Sequence, residues 1–329
     1  MHGLLFAATQ ASKESSGSPL LWGGFAVFIV TVLALDLGVF HRKAHEVRPR
    51  EALIWSAVWI GLALVFNVGV ALIKGRDAGL QFLTGYLIEE ALSVDNLFVF
   101  MVVFSYFAVP KIFQHRVLFW GIVGALAMRG IFIWAGIELM DRFHWLVLIL
   151  GGFLVFTGVR ILIQRHEEVH PERNLVLRLF RRFVPMTSNY EGHHFLVRRD
   201  GRMLATPLLM VLVVVEVTDL VFAVDSIPAI LAVTKDPFIV YTSNIFAILG
   251  LRSLFFSLSG FMDRFHYLKV GLGLILVFVG FKMVAKYWEK ELPILASLGV
   301  IVVLLAGSIV ASILRPKETP PAAPPGTPA

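Results

Sequence analysis

The chain has 329 residues, 57% of them hydrophobic and 16% charged, with a mean hydropathy of +0.80, which is too apolar for a water-soluble domain and too often interrupted by charge for a single anchor. It has no cysteine, so a disulfide framework, a thiolate metal site and a cysteine nucleophile are excluded. The formal charge of +6 does not call for nucleic acid as a partner, because the basic residues lie between apolar runs, where orientation in a lipid bilayer accounts for them.

Residues 1–19 hold one apolar run, Leu4 to Ala8, too short for a signal-peptide core. They read as an extracytoplasmic N-terminus. Nine apolar runs follow, near 20–40, 52–73, 80–107, 117–137, 145–163, 205–233, 238–261, 267–284 and 293–314, which predicts an all-α polytopic membrane protein with about nine transmembrane helices. Two leading helices occupy 20–79, the last is 293–314, and the Pro- and Ala-rich tail 315–329 reads as a disordered cytoplasmic end. Lys and Arg concentrate in the connections after the odd-numbered runs, above all in the basic loop 164–204. The positive-inside rule then puts the N-terminus outside and the C-terminus in the cytoplasm, as an odd number of spans requires. Within that loop, Leu175 to Phe183 has the pattern of a short amphipathic helix lying on anionic headgroups.

Residues 80–163 and 205–284 are two copies of one three-helix unit. LIEEALSVDNLFVF from Leu87 and VTDLVFAVDSIPAI from Val217 place Glu89 opposite Asp219, Asp95 opposite Asp225 and Asn96 opposite Ser226, at an offset of 130 residues. Met140-Asp141-Arg142-Phe143-His144 recurs as Met262-Asp263-Arg264-Phe265-His266 at an offset of 122, and Arg129 matches Arg252. Three helices is an odd number, so consecutive copies enter the membrane from opposite sides; the unit predicts an inverted repeat with a central site.

The acids need a reason to be there, since each costs about 2.5–3.5 kcal/mol at the centre of a spanning helix. Six residues along a helix is 240° of rotation and about 9 Å of rise, so Glu89 and Asp95 cannot chelate one ion from a straight helix. Either the helices unwind or the site is shared between the two copies. Symmetry favours sharing, with Glu89, Asp95, Asn96, Asp219 and Asp225 as ligands and Ser226 beside them; Glu90 and Glu216 lie in the same stretches but outside the symmetric set. Pro228 cannot donate a backbone N–H, which frees the carbonyl of Val224 close to Asp225. Arg129 and Arg252 are too few to neutralise six acids, and serve either as counter-ions of the empty site or as pins for helix packing. Asp36, at the inner end of the first run, joins a cytoplasmic vestibule or pairs with Arg42 or Lys43. Carboxylate, amide and carbonyl oxygens suit a hard divalent cation, and the same acids can carry protons.

His166-Glu167-Glu168-Val169-His170 satisfies the zinc-protease pattern, but Pro171 follows at once in a loop rich in His, Glu and Arg, and no further ligand is evident. No nucleotide-binding motif is present either, so neither an intramembrane protease nor an ATP-driven pump is expected; the chain is read as a transporter and not an enzyme.

DLGVFHRKAHEV from Asp36, EEALSVDNLFVF from Glu89, RRDGRMLATPL from Arg198, VEVTDLVFAVDSIPAI from Val215 and DPFIVYTSNIFAILGLR from Asp236 together resemble the TerC family of bacterial membrane proteins. This family is named for tellurite resistance, includes pH-responsive manganese exporters, and is similar in turn to the lysine-exporter superfamily. The resemblance implies an inner-membrane metal exporter with no tightly bound cofactor and Mn²⁺ as the transported substrate. Its functional acids carry over as Glu89, Asp95, Glu216, Asp219 and Asp225. Manganese in preference to calcium or magnesium comes from the resemblance alone. A competing reading is a membrane scaffold in metal or tellurite stress, whose basic loop recruits soluble stress-response partners while the acids hold a structural ion.

Overall fold

The computed structural model describes residues 19–35, 49–163, 184–187, 189–199, 201–258, 267–288 and 292–314. Among them are nine helices: α1 (Pro19–Leu35), α2 (Pro49–Lys74), α3 (Arg76–Tyr106), α4 (Lys111–Arg142), α5 (Leu146–Ile163), α6 (Pro207–Leu231), α7 (Pro237–Leu258), α8 (Leu268–Tyr287) and α9 (Ile294–Leu314). Each falls on one expected run, with ends that agree to within six residues. Seven are long and apolar enough to cross a membrane. The other two are α1, at 17 residues, and α3, which is 31 residues long but carries Glu89, Glu90 and Asp95 through its apolar stretch. The protein is a multi-pass helical membrane protein.

Proline marks the helix starts. It opens α1, α2, α6 and α7, and Pro110 and Pro293 stand just before α4 and α9; at these positions the missing N–H has no intrahelical partner to lose. Gly75, at φ +97°, makes the break between α2 and α3 that a side-chain-bearing residue would resist. Asp236 caps α7 by accepting from the backbone N–H of Phe238 (3.0 Å) and Ile239 (3.4 Å). The same carboxylate pairs with Lys74 at the end of α2 (2.5 Å), and neighbouring Lys235 pairs with Asp141 at the end of α4 (2.8 Å).

Helices α3, α4, α6 and α7 form the centre. Between α3–α5 and α6–α8 the main pairings are α3 with α7, α4 with α6, α3 with α6, α4 with α7 and α5 with α8, a set that exchanging α3, α4 and α5 for α6, α7 and α8 turns into itself; α2 packs extensively on α7 and α3. Helices α1 and α2 cover one flank through an aromatic cluster that includes Phe25, Phe66, Phe82 and Phe246, and α9 covers another, against α8 and α3. Burial follows this plan: 89% of the most apolar stretch of α7 is buried, against 17% for α5 and α9.

The α5–α8 pairing is made by glycine. A Cβ on Gly158 would stand 2.6 Å from the Gly273 carbonyl oxygen, and one on Gly280 would stand 2.7 Å from the Gly151 carbonyl oxygen. Gly151 and Gly273 are in turn 3.0 Å, by the same measure, from the carbonyls of Gly280 and Gly158. Backbones packed this closely are a known means of association in lipid, where burying apolar side chains gains little.

The 164–204 connection departs from the sequence expectation. Its end folds into an antiparallel hairpin, β1 (Leu196–Arg199) with β2 (Arg202–Ala205), turning at Gly201 with φ +75°. The expected surface helix at 175–183, the pattern at 166–170, Asp36, the first 18 residues and the tail 315–329 all lie outside the described residues.

Candidate functional site

Residues seven apart on a helix share a face, because seven residues turn it through almost two full revolutions. Glu89 and Asn96 are so related on α3, and Asp219 and Ser226 on α6, and the two faces meet where the helices pack. Asn96 Nδ2 donates to Asp219 Oδ1 at 3.4 Å. Both helices run unbroken through this region, and α6 continues through Pro228. Of the two alternatives left open by the sequence, unwinding is not seen in these two helices; what they share is a set of polar contacts between α3 and α6.

Arg129 on α4 fills the space between those faces and is 1% exposed. Its guanidinium grips Asp219 with two nitrogens, Nε to Oδ2 at 3.3 Å and Nη2 to Oδ1 at 3.0 Å, and Nη1 donates to Glu89 Oε1. Nη1 also reaches Ser226 Oγ at 3.4 Å and Asn244 Oδ1, on α7, at 3.2 Å. All four central helices therefore contribute to one buried polar cluster, in which a single guanidinium bridges two carboxylates from equivalent positions of the two copies. Burial of such a bridge is offset by the hydrogen bonds that tie each carboxylate to the guanidinium, although one positive charge faces two negative ones. Arg129 is paired with both acids and at the same time ties α4 to α3, α6 and α7, so both roles open to it in the sequence are compatible with its contacts.

The cluster is under-satisfied on its acceptor side. Glu89 Oε2 and Asn96 Oδ1 are buried with no hydrogen-bond partner, as is the amide Nδ2 of Asn244; elsewhere in the helices Glu90 Oε2, Glu216 Oε2 and Asn67 Oδ1 are also without one. Buried polar atoms in native proteins normally have partners. Such acceptor oxygens can be satisfied by a hydrogen-bond donor, a proton or a cation.

The remaining candidates are dispersed. Asp225, six residues from Asp219, faces α5, where Thr157 Oγ1 donates to its Oδ1 at 3.3 Å. Glu216, one turn before Asp219, lies against α4 at Gly124, where an added Cβ would run into its carboxylate. Arg252, buried in α7, lines a small pocket with Asp219, Val215 and Phe100. The backbone of Asp95 is part of α3, but its side chain lies outside the described residues. Among the described residues, no three Asp, Glu or His side chains gather into a set able to hold a metal ion. Sequence reading missed Asn244, Thr157 and the hairpin. The repeat gives Asn244 no polar counterpart to mark it, whereas the Asp200-Gly201 dipeptide between two short runs is a recognised hairpin signal.

The comparisons with known proteins agree with this architecture. An uncharacterized membrane protein of Myxococcus xanthus, STKORF319, is 58% identical over 306 residues, covering 93% of this chain and 96% of its own. Alx of Salmonella typhi, whose name marks it as a candidate membrane-bound redox modulator, is 48% identical and covers 89% of this chain and 94% of its own. Its Escherichia coli K12 namesake is 47% identical, covering 87% and 91%. No solved structure matches the chain. The profile of the integral membrane protein TerC family matches residues 74–319, from the last residue of α2 to beyond α9. With three-quarters of its length inside that match, the chain belongs to the TerC family of integral membrane proteins.

Proposed function

We propose that this protein is a secondary transporter that exports a divalent cation, Mn²⁺, across the bacterial inner membrane in exchange for protons. Its N-terminus would be outside and its C-terminus cytoplasmic, with α3–α5 and α6–α8 as inverted repeats around the Glu89–Arg129–Asp219 cluster. The observation that supports this reading is the set of orphaned buried oxygens, Glu89 Oε2, Asn96 Oδ1, Glu90 Oε2 and Glu216 Oε2, which lie within apolar helices where a cation or a proton would satisfy them. Hard oxygen donors suit Mn²⁺, Mg²⁺ and Ca²⁺ alike; the preference for manganese rests on resemblance to the family. Protons and metal compete for the same carboxylates, so loading from a less acidic cytoplasm and release towards a more acidic exterior follow from mass action. The Alx relatives are named for redox modulation. This chain has no thiol to exchange, and a redox effect would follow from the metal it moves.

The test is Mn²⁺ flux in liposomes that contain only the purified protein, with pH varied separately on each side and a dye reporting proton movement. Flux that falls as the loading side is acidified, with protons moving against metal, is the expected result. Flux indifferent to pH on both sides, with no proton movement, would sink exchange.

A further inference from the structure

Arg129 occupies the two acids that the transport reading assigns to the cation. Asp219 is fully engaged by it, with Oδ1 and Oδ2 both accepting from the guanidinium, whereas Glu89 gives it Oε1 and keeps Oε2 free. Glu89 Oε2 and Asn96 Oδ1 are thus the open foothold of a site whose other half is already taken. A divalent cation held by oxygens needs six or so of them, at little more than about 2 Å. It can complete that set here only by drawing Asp219 away from the arginine. The same Nη1 that donates to Glu89 also reaches two neutral acceptors, Ser226 Oγ and Asn244 Oδ1, which remain as partners when the carboxylates leave. Formal charge supports a replaceable partner: the two acids and Arg129 sum to one negative charge, and the acids alone to two, a burden that is hard to carry in a medium of low dielectric.

We infer that the Arg129 guanidinium and the transported divalent cation are alternative occupants of Glu89 and Asp219, so that Arg129 is a tethered counter-cation that holds the site when it is empty and is pushed towards Ser226 and Asn244 when it loads. This rests on the transport reading above. Arg129 then regulates the site: it weakens cation binding, and it hastens release by re-forming the bridge behind the departing ion.

The experiment compares wild type with Arg129→Gln and Arg129→Lys, purified in detergent and in proteoliposomes. Mn²⁺ binding is followed by loss of the free-ion paramagnetic resonance signal, and flux is measured on the same preparations. Removing a unit charge a few ångströms from the ion should tighten binding in Arg129→Gln by at least about tenfold, with slower maximal turnover. Arg129→Lys, which keeps the charge but loses the planar two-nitrogen grip, should fall between the two. If Arg129→Gln does not yield monodisperse protein, tighter binding by Arg129→Lys is the expected result and unchanged or weaker binding overturns the inference. A folded Arg129→Gln that binds Mn²⁺ no more tightly than wild type also overturns it while leaving transport standing. A wild type that neither binds nor moves Mn²⁺ removes both readings.

Discussion

Two of the contacts between the copies of the three-helix unit are built differently. Where α5 crosses α8, glycines bring backbone against backbone, with Gly158 facing Gly273 and Gly151 facing Gly280. Where α3 crosses α6, the equivalent residues are Glu89 and Asp219, which repel each other and touch only through Arg129. The same repeat thus builds one seam of bare backbone and one in which two acids are held through an arginine. The first suits a fixed scaffold and the second an exchangeable ligand.

The contrast is broken most severely at the glycine seam. Gly158→Leu places a branched side chain where even a Cβ would be 2.6 Å from a carbonyl oxygen. Overpacking there should cost about 3 kcal/mol, the upper end of its usual range, and appear as lost monodisperse protein and a lowered Tm in detergent. Asp219→Asn sharpens the comparison from the other side. It removes one of two acids from a bridge with a single arginine, and the asparagine Oδ1 still accepts from the guanidinium. Stability should therefore stay within about 1 kcal/mol while Mn²⁺ flux is abolished; a large fall in Tm would show that the α3–α6 seam is structural like the other. The smallest effect is expected at Thr157→Val, which deletes one 3.3 Å hydrogen bond to Asp225. A loss of about 1 kcal/mol or less, with flux kept at half or more of wild type, would place Asp225 outside the central cluster, whereas abolished flux would bring α5 into the transport path.

The apolar runs were legible because lipid demands some twenty apolar residues per helix whatever the packing; that Pro19, Pro207 and Pro237 mark helix starts emerged from the structure. The acids were legible because their insertion cost has to be repaid. The grouping of those acids was harder to read. The six-residue interval from Asp219 to Asp225 is conspicuous as a repeated pattern, but helical geometry turns Asp225 away to Thr157; the quieter seven-residue interval from Asp219 to Ser226, matched by Glu89 to Asn96, is the one that shares a face. Asn244 was invisible for another reason. An uncharged amide in an apolar run carries little insertion penalty, so nothing in the chain distinguishes a ligand of Arg129 from a tolerated polar residue.

The enclosure of α7 has a consequence for how the protein is made. Its mean hydropathy of 1.5 is the lowest of the seven candidate spans, and Thr242, Ser243, Asn244, Ser253 and Ser257 are all buried within the protein. Such a segment is poorly suited to wait alone in lipid. Helices α2, α3, α4 and α6, which surround it or complete its polar cluster, all precede it in the chain, so they have left the ribosome before it does. The order of synthesis therefore places the helices that line its slot ahead of the least apolar of the seven candidate spans.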